Sequence, residues 1–321
     1  MLFIVSNSFD TTVDLLILRL GTADIFRFNF DLWRDYKLEI SPDGFRLEDP
    51  AGRVVTDRTI TKFLWRKPAR SAEMFPGTKL AAEDIYYEQE LWYALCEIAN
   101  LMWARRKLVL VEPFVDIRVG KFVQLDAARN YFQVPPYRMS LGIPFPADER
   151  KQSVVKSLTS EPVGRDSDHA VLFTSRVDPS ELSMAAPWLV QQYIAAELDV
   201  TVQVVRDRVF AFELDRRSFL DRSIDWRALA ADETSDRWRP HRLPEDVEQN
   251  IFRFMQRLAL HFGRIDFLYG NGVYHFLEIN PNGQWAWLDA EGRHGLLDKV
   301  VGEISPATPC IPIPMIRDQR P

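Results

Sequence analysis

Cysteine is scarce in this sequence. Cys96 and Cys310 are the only two in 321 residues, the first inside a helical pattern and the second in a proline-rich tail. Neither placement suits a disulfide framework or a zinc site, and two unpaired thiols fit a reducing cytoplasm. No stretch approaches the roughly 18 apolar residues that span a bilayer. The opening Met-Leu-Phe-Ile-Val-Ser is too short for a secretory signal and has no basic flank, so it reads as a first strand. A basic excess is missing as well: 40 lysines and arginines against 46 acids leave a net charge of -6. That argues against a general nucleic-acid binder, which must neutralise phosphates. Absent too are a Walker A loop, a Gly-x-Gly-x-x-Gly fingerprint, a Cys-x-x-Cys pair and a Ser-His-Asp order, which sets aside P-loop NTPases, dinucleotide dehydrogenases, thioredoxins and serine hydrolases. The five histidines (His169, His241, His261, His275, His294) show neither zinc spacing nor local acid-base pairing, and packing or surface roles are expected of them. The expectation is a soluble cytoplasmic protein with no nucleic-acid or membrane partner.

What is present is ordinary for a globular protein: 46% hydrophobic and 27% charged residues, in a chain long enough for two or three domains. Strands and helices are intermixed throughout, so the class is α/β or α+β. Residues 1–107 read as a first unit, with strands at 2–5, 25–29, 37–40, 45–48, 53–55 and 63–65, then a long helix over 81–104 whose apolar residues recur at three- and four-residue steps. Residues 108–187 read as a second unit: a strand at 108–111, a helix over 117–132, and strands at 153–157 and 170–174 around a polar loop, 159–169, with one glycine, Gly164. Residues 188–315 read as a third unit, with a mixed sheet expected. Its strands are 188–194, 200–205 and 209–214, followed by a charge-rich stretch over 216–242. Pro244 then opens a helix with Val247, Ile251, Phe254, Leu258 and Phe262 on one face and Gly263 placed to end it. Residues 316–321 are a tail.

Chemistry concentrates after Gly263. Two apolar strands flank Gly270-Asn271-Gly272, a strong hairpin signal. Side chains alternate along a strand, so Glu278 and Asn280 share a face, and folding about Asn271 brings Asp266 roughly opposite Glu278. Two carboxylates and an amide oxygen between apolar neighbours suit a hard divalent cation such as magnesium, which completes its shell with water and phosphate. Each of these residues alone would read as a solvated hairpin residue; the three together do not. Lys156, inside an apolar strand, is costly unless it meets an anion or a cleft. An edge-strand lysine facing solvent is its plainer reading, as a solvated helix face is for Lys121 and a surface ion pair for Arg227.

The segment from Gly263 through Glu278-Ile279-Asn280-Pro281-Asn282-Gly283-Gln284-Trp285 resembles the metal-binding end of ATP-grasp enzymes, and more narrowly the ligases that mature microviridin-type peptides, the graspetides. The resemblance covers most of the chain, more weakly toward the N-terminus. Trp65-Arg66-Lys67-Pro68 resembles a segment of that family's N-terminal domain, and Lys121 with Gln124-Leu125 its lysine-bearing helix. Val154-Val155-Lys156-Ser157 resembles the strand whose lysine touches phosphates. Gln191-Gln192-Tyr193-Ile194 resembles the strand that meets adenine, and Asp225-Trp226-Arg227 a recurrent tripeptide. Two departures stand out: Thr201 where an arginine is common, and a phosphate loop with only Gly164. The missing charge would shift weight onto Arg227 or Arg264.

The resemblance implies an ATP-grasp fold with an N-terminal pre-ATP-grasp domain, a central domain and a C-terminal mixed-sheet domain. It implies ATP held between the last two, with Asp266, Glu278 and Asn280 on Mg2+. Lys121 and Lys156 would neutralise phosphates, Gln191, Gln192, Tyr193 and Ile194 would meet the base, and Arg227 and Arg264 would act near the reacting groups. The implied reaction activates an Asp or Glu side chain of a ribosomal precursor peptide as an acyl phosphate, then closes an ester or amide to Ser/Thr or Lys, giving a macrocycle. The implied partner is that peptide, with a homodimer left open. Two alternatives stay open: a ligase that joins separate molecules, and a peptide-binding homologue without catalysis. Trp285 and Trp287 would line the acceptor cleft or seal a domain junction. Arg66, Lys67 and Arg70 would meet an acidic peptide or form a solvated basic edge.

Overall fold

The computed structural model describes residues 1–21, 24–71, 80–145, 153–158, 173–220, 223–228 and 237–314. The chain opens with β1 (Leu2–Ser6), every residue of it buried, and α1 (Thr11–Leu20). The Asp10 side chain caps α1 by accepting from the N–H groups of Thr12 and Val13, and Gly21, at φ 57°, ends it in the left-handed conformation that glycine adopts most cheaply. Next come β2 (Ile25–Asn29), β3 (Lys37–Ser41), β4 (Gly44–Glu48), β5 (Val54–Thr56), β6 (Lys62–Trp65) and α2 (Ala82–Ala104). Strands β2, β1 and β6 form a parallel sheet, while β3, β4 and β5 form a small antiparallel one.

The expected helix over 117–132 is instead two, α3 (Val115–Arg118) and α4 (Lys121–Ala128), broken where Val119 and Gly120 leave helical geometry. The strand expected over 108–111 reduces to one parallel bridge, Phe63 to Leu108, because Leu110 turns to φ 65°. A four-stranded antiparallel sheet follows in the order β7-β10-β8-β9, from β7 (Tyr137–Ser140), β8 (Ser153–Lys156), β9 (Ser175–Val177) and β10 (Trp188–Gln192). The polar loop 159–169, with Gly164 and His169, and residues 170–172 of the strand beside it lie outside the described residues, as do 221–222, 229–236 and the tail.

The last sheet has the order β13-β12-β11-β14-β15, from β11 (Leu198–Val205), β12 (Arg208–Asp215), β13 (Arg239–Pro240), β14 (Phe262–Gly270) and β15 (Val273–Asn280). These strands pair antiparallel throughout, and the expected mixed character reduces to one parallel bridge, Gln133 to His275. Two-residue turns join β11 to β12 and β14 to β15, and so short a connection permits only an antiparallel pair. Helix α5 (Glu245–Arg257) stops before Gly263, which lies within β14, and Phe262 is a strand residue. Gly263 is needed for closeness: a Cβ there would meet the Ile279 side chain at 3.0 Å. Val200, Val202, Ile265, Phe267, Phe276 and Ile279 form the buried face of the sheet, with Ile251 and Phe254 of α5 and Leu125 of α4 in the same core. Helix α6 (Leu296–Ile304) completes the described chain. No helix of the described residues is long and apolar enough to cross a membrane.

Candidate active site

The site is built on the β14–β15 hairpin. Asn271 and Gly272 both have positive φ, 52° and 77°, as a two-residue hairpin turn of this hand requires. From that turn Gly270 pairs with Val273 and Phe267 with Phe276, but Asp266 pairs with Glu278, so Leu277 is an extra, bulged residue. A regular register would set Asp266 against Leu277 and leave Glu278 on the core face with Phe276. The bulge turns Glu278 and Asn280 to the face of Asp266 and keeps Phe276 in the core.

On that face the acids are held by cations. The Lys121 ammonium donates to Glu278 Oε2, Arg227 lies 3.5 Å from Glu278 Oε1, and Arg264 forks onto Asp266 at 3.2 and 3.0 Å. Thr201, paired with Asp266 across β11 and β14, donates its hydroxyl to Oδ1 at 2.7 Å. Burial alone would raise the Glu278 carboxyl, but Lys121, Arg227 and Lys156 together hold it far below the usual carboxylate range. Burial likewise lowers Lys156 to about 8, aided by the charges of Lys121 and Arg227 and opposed by Glu278. Burial raises Asp199 to about 6 against its buried partner Arg216, 2.7 Å away. For Asp225, burial is outweighed by the Arg227 fork at 2.9 and 2.8 Å and by the Thr174 N–H.

One cavity of about 810 Å³ is lined by all eleven residues singled out from the sequence: Lys121, Lys156, Gln191, Gln192, Tyr193, Ile194, Arg227, Arg264, Asp266, Glu278 and Asn280. Strand β10 ends at Gln192, two residues earlier than expected, and the chain leaves the sheet along the cavity wall through Tyr193 and Ile194. The Arg176 guanidinium stacks 4.0 Å from the Tyr193 ring.

The donors fit magnesium. The Asn280 amide lies 3.5 Å from Asp266 and 3.3 Å from Glu278, so one cation could reach both carboxylates and, after rotation of the amide, its oxygen. Among the described residues no three His, Cys, Asp or Glu side chains cluster as a metal cage. A two-carboxylate set is what an ion carried by nucleotide phosphates needs.

The whole chain can then be compared with known structures. A ligase from Chryseobacterium gregarium, described as RiPP-associated and ATP-grasp and in complex with ADP and a leader and core peptide, superposes with a TM-score of 0.79 at 22% identity, over 96% of this chain and 97% of its own. The macrocyclase MdnC of Microcystis aeruginosa MRC, bound with precursor peptide MdnA, gives 0.75 at 20%, covering 95% and 98%. The ATP-grasp ligase PsnB, complexed with minimal precursor, Mg and ADP, gives 0.65 at 17%, covering 94% and 96%. This chain has the ATP-grasp fold. No family profile and no curated protein sequence matches it, so the likeness is one of fold.

Within this ATP-grasp fold several site residues carried no signal of their own in the sequence. Asp116 and Arg216 line the cavity from short helical turns, and Asp199 from the start of β11. Gln124 was visible only through the resemblance. Its amide bridges the break between α3 and α4 by donating to Val119 O at 2.9 Å and accepts the Ile279 N–H of edge strand β15 at 2.9 Å, which fixes Lys121 beside Glu278. The basic cluster divides. Arg66 is 4% exposed and donates to Asn282 and Gln284, Arg70 lies over Trp92, and Lys67 faces the cavity. Trp285 is buried, and Trp287 packs on Trp226 and Trp238, which line the cavity. The absence of local acid-base pairing at histidine ends with the fold: His241 bonds Glu213 and, at 2.6 Å, the Tyr274 hydroxyl.

Proposed function

We propose that this protein is an ATP-dependent, ADP-forming carboxylate ligase that closes macrocyclic ester or amide links within a ribosomal precursor peptide. The observation that carries the reading is the convergence of the Asp266, Glu278 and Asn280 face with Lys121, Lys156, Arg227 and Arg264 on one cavity in a chain of this fold. Structures of similar fold hold ADP together with leader, core or precursor peptides, which favours a peptide as the acceptor. Three units, 1–107, 108–187 and 188–315, share the work, with nucleotide between the second and third.

In this reading Asp266, Glu278 and Asn280 would hold magnesium, which would supply charge to screen the phosphates and stabilise the transferring phosphoryl group. Lys121 exchanges its hold on Glu278 for nucleotide phosphates, and Lys156 joins it there. Arg227, oriented by Asp225, and Arg264, oriented by Asp266 and the Gln284 carbonyl at 2.7 Å, present guanidinium groups to the reacting end. Gln191, Gln192, Tyr193 and Ile194 line the base. A substrate carboxylate displaces ADP from the γ-phosphorus to give an acyl phosphate. A Ser/Thr hydroxyl or Lys amine of the same peptide then displaces phosphate and loses its proton. Thr201 takes part by holding Asp266, so the charge that an arginine would bring there is supplied by Arg264.

The test is incubation with ATP, magnesium and any short Thr/Ser- and Asp/Glu-rich peptide found encoded beside the gene, read by intact mass. Each ring removes one water. A gain equal to a second molecule's mass would favour the ligase that joins separate molecules, and ATP-independent retention of unmodified peptide would favour a binding module.

A further inference from the structure

Lys67 stands apart from the cations assigned to the nucleotide. It follows β6 at the head of the parallel sheet, at φ 43°, a left-handed position that is costly for a residue with a Cβ and unusual before a proline. The conformation is held in place: Asn7 donates to the Lys67 carbonyl at 3.0 Å and accepts the Ala69 N–H at 3.3 Å. Strain held by surrounding bonds points to a placed side chain. That side chain lines the cavity and, among the described residues, has no hydrogen bond or ion pair. It is exposed to the water of the cavity, and the protein mass around the cavity mouth, with Arg66 and Arg264 adding like charge, draws its pKa down to about 8.

Its electrostatic neighbours are Arg66, Asp116, Arg264 and Asp10, whereas those of Lys156 are Lys121, Glu278, Arg227 and Asp225. The cavity therefore holds two charge clusters, which meet at the Arg264–Asp266 pair. Nucleotide phosphates account for one. A ligase of the proposed kind must bring a second anion, the carboxylate to be activated, to the same reacting end. We infer that Lys67 is the receptor for the substrate carboxylate, with Asp116 as its counter-charge while the site awaits substrate. The inference rests on the ligase reading.

The test uses the full-length protein with its lysines 13C-dimethylated and followed by NMR. Lys67, Lys121 and Lys156 are assigned by the signals missing from Lys67→Arg, Lys121→Arg and Lys156→Arg. Three additions are compared: ADP with magnesium, N-acetylglutamate α-amide as a carboxylate probe, and N-acetylglutamine α-amide as its neutral twin. The expected result is that ADP with magnesium moves Lys121 and Lys156 but not Lys67, and that the carboxylate probe then moves Lys67 in a saturable way while the neutral twin does not. A Lys67 signal that follows ADP would make it a phosphate ligand and overturn the inference. So would one that follows no addition while Lys121 and Lys156 respond. Silence of Lys121 and Lys156 toward ADP would remove the nucleotide reading, and this inference with it.

Discussion

At the scale of single residues, the site stores opposite charges against one another until a ligand arrives. Lys156 titrates near 8 in the free protein because burial and neighbouring cations outweigh Glu278. Under the proposed function nucleotide phosphates favour its charged form, so ADP binding should take up protons around pH 8 to 9, and affinity should fall as pH rises through that window. Calorimetry in two buffers of different ionisation enthalpy should show this uptake, and Lys156→Met should lose most of it while weakening ADP about 10–100-fold. Thr201 and Arg264 both hold Asp266, but only Arg264 carries charge. Thr201→Val should therefore cost less than about tenfold in ATP turnover and Arg264→Ala about 100-fold or more, compared by ADP release. Glu278 and Asp266 were legible because two acids and an amide among apolar strand residues are costly to bury unless a cation meets them. Asp116 was not, since a short helix gives no periodic signal of what it faces, and Lys67 was visible only as one of three basic residues that would meet an acidic peptide or form a solvated edge.

At the scale of elements, the hairpin was the most legible part of the chain and its bulge the least. Period-two alternation and Asn271-Gly272 predict strands, turn and approximate pairing, but the extra Leu277 emerges only when both Phe276 and Glu278 must face their proper sides. Helix α1 had its cap, Asp10, and its glycine stop, Gly21, in plain view but was hidden by a nearly continuous apolar run. The helix over 117–132 read as continuous because Gly120 is tolerated within a helical pattern, and Gln124 repairs the break by tertiary contact. Gln124→Leu leaves the Ile279 N–H without its partner, and urea denaturation should register a loss of about 1–3 kcal/mol. At Gly283 a Cβ would come within 2.9 Å of Asn280 Cβ. Gly283→Ala should displace the amide, costing about 1–3 kcal/mol and weakening the magnesium dependence of ADP binding.

At the scale of the molecule, the first sheet is tied to the last through the segment after β15. Arg66 donates to the Asn282 carbonyl and side chain, both at 2.8 Å, and to Gln284 at 2.6 Å, which also accepts from Thr12 of α1 at 2.9 Å. Arg264, which holds Asp266, also donates to the Gln284 carbonyl, so Asp266 is linked through this segment to the N-terminal sheet that presents Lys67. Nothing in the local sequence of Trp65-Arg66-Lys67-Pro68 told which of its cations would be spent on this junction; burial of Arg66 decides it. Arg66→Met leaves these acceptors and Asp10 without their cation and should destabilise the protein by about 3 kcal/mol in the same denaturation assay.

Presentation of Asp266, Glu278 and Asn280 by the bulged hairpin to nucleotide-bound magnesium is the role on which the proposed function rests. Its most direct test is the affinity of ADP measured by calorimetry with magnesium and with EDTA, in the unaltered protein and in Glu278→Gln. The account predicts that magnesium strengthens ADP binding to the unaltered protein by about tenfold or more and that the variant loses this gain. A Glu278→Gln protein that binds ADP with the same magnesium dependence would contradict it.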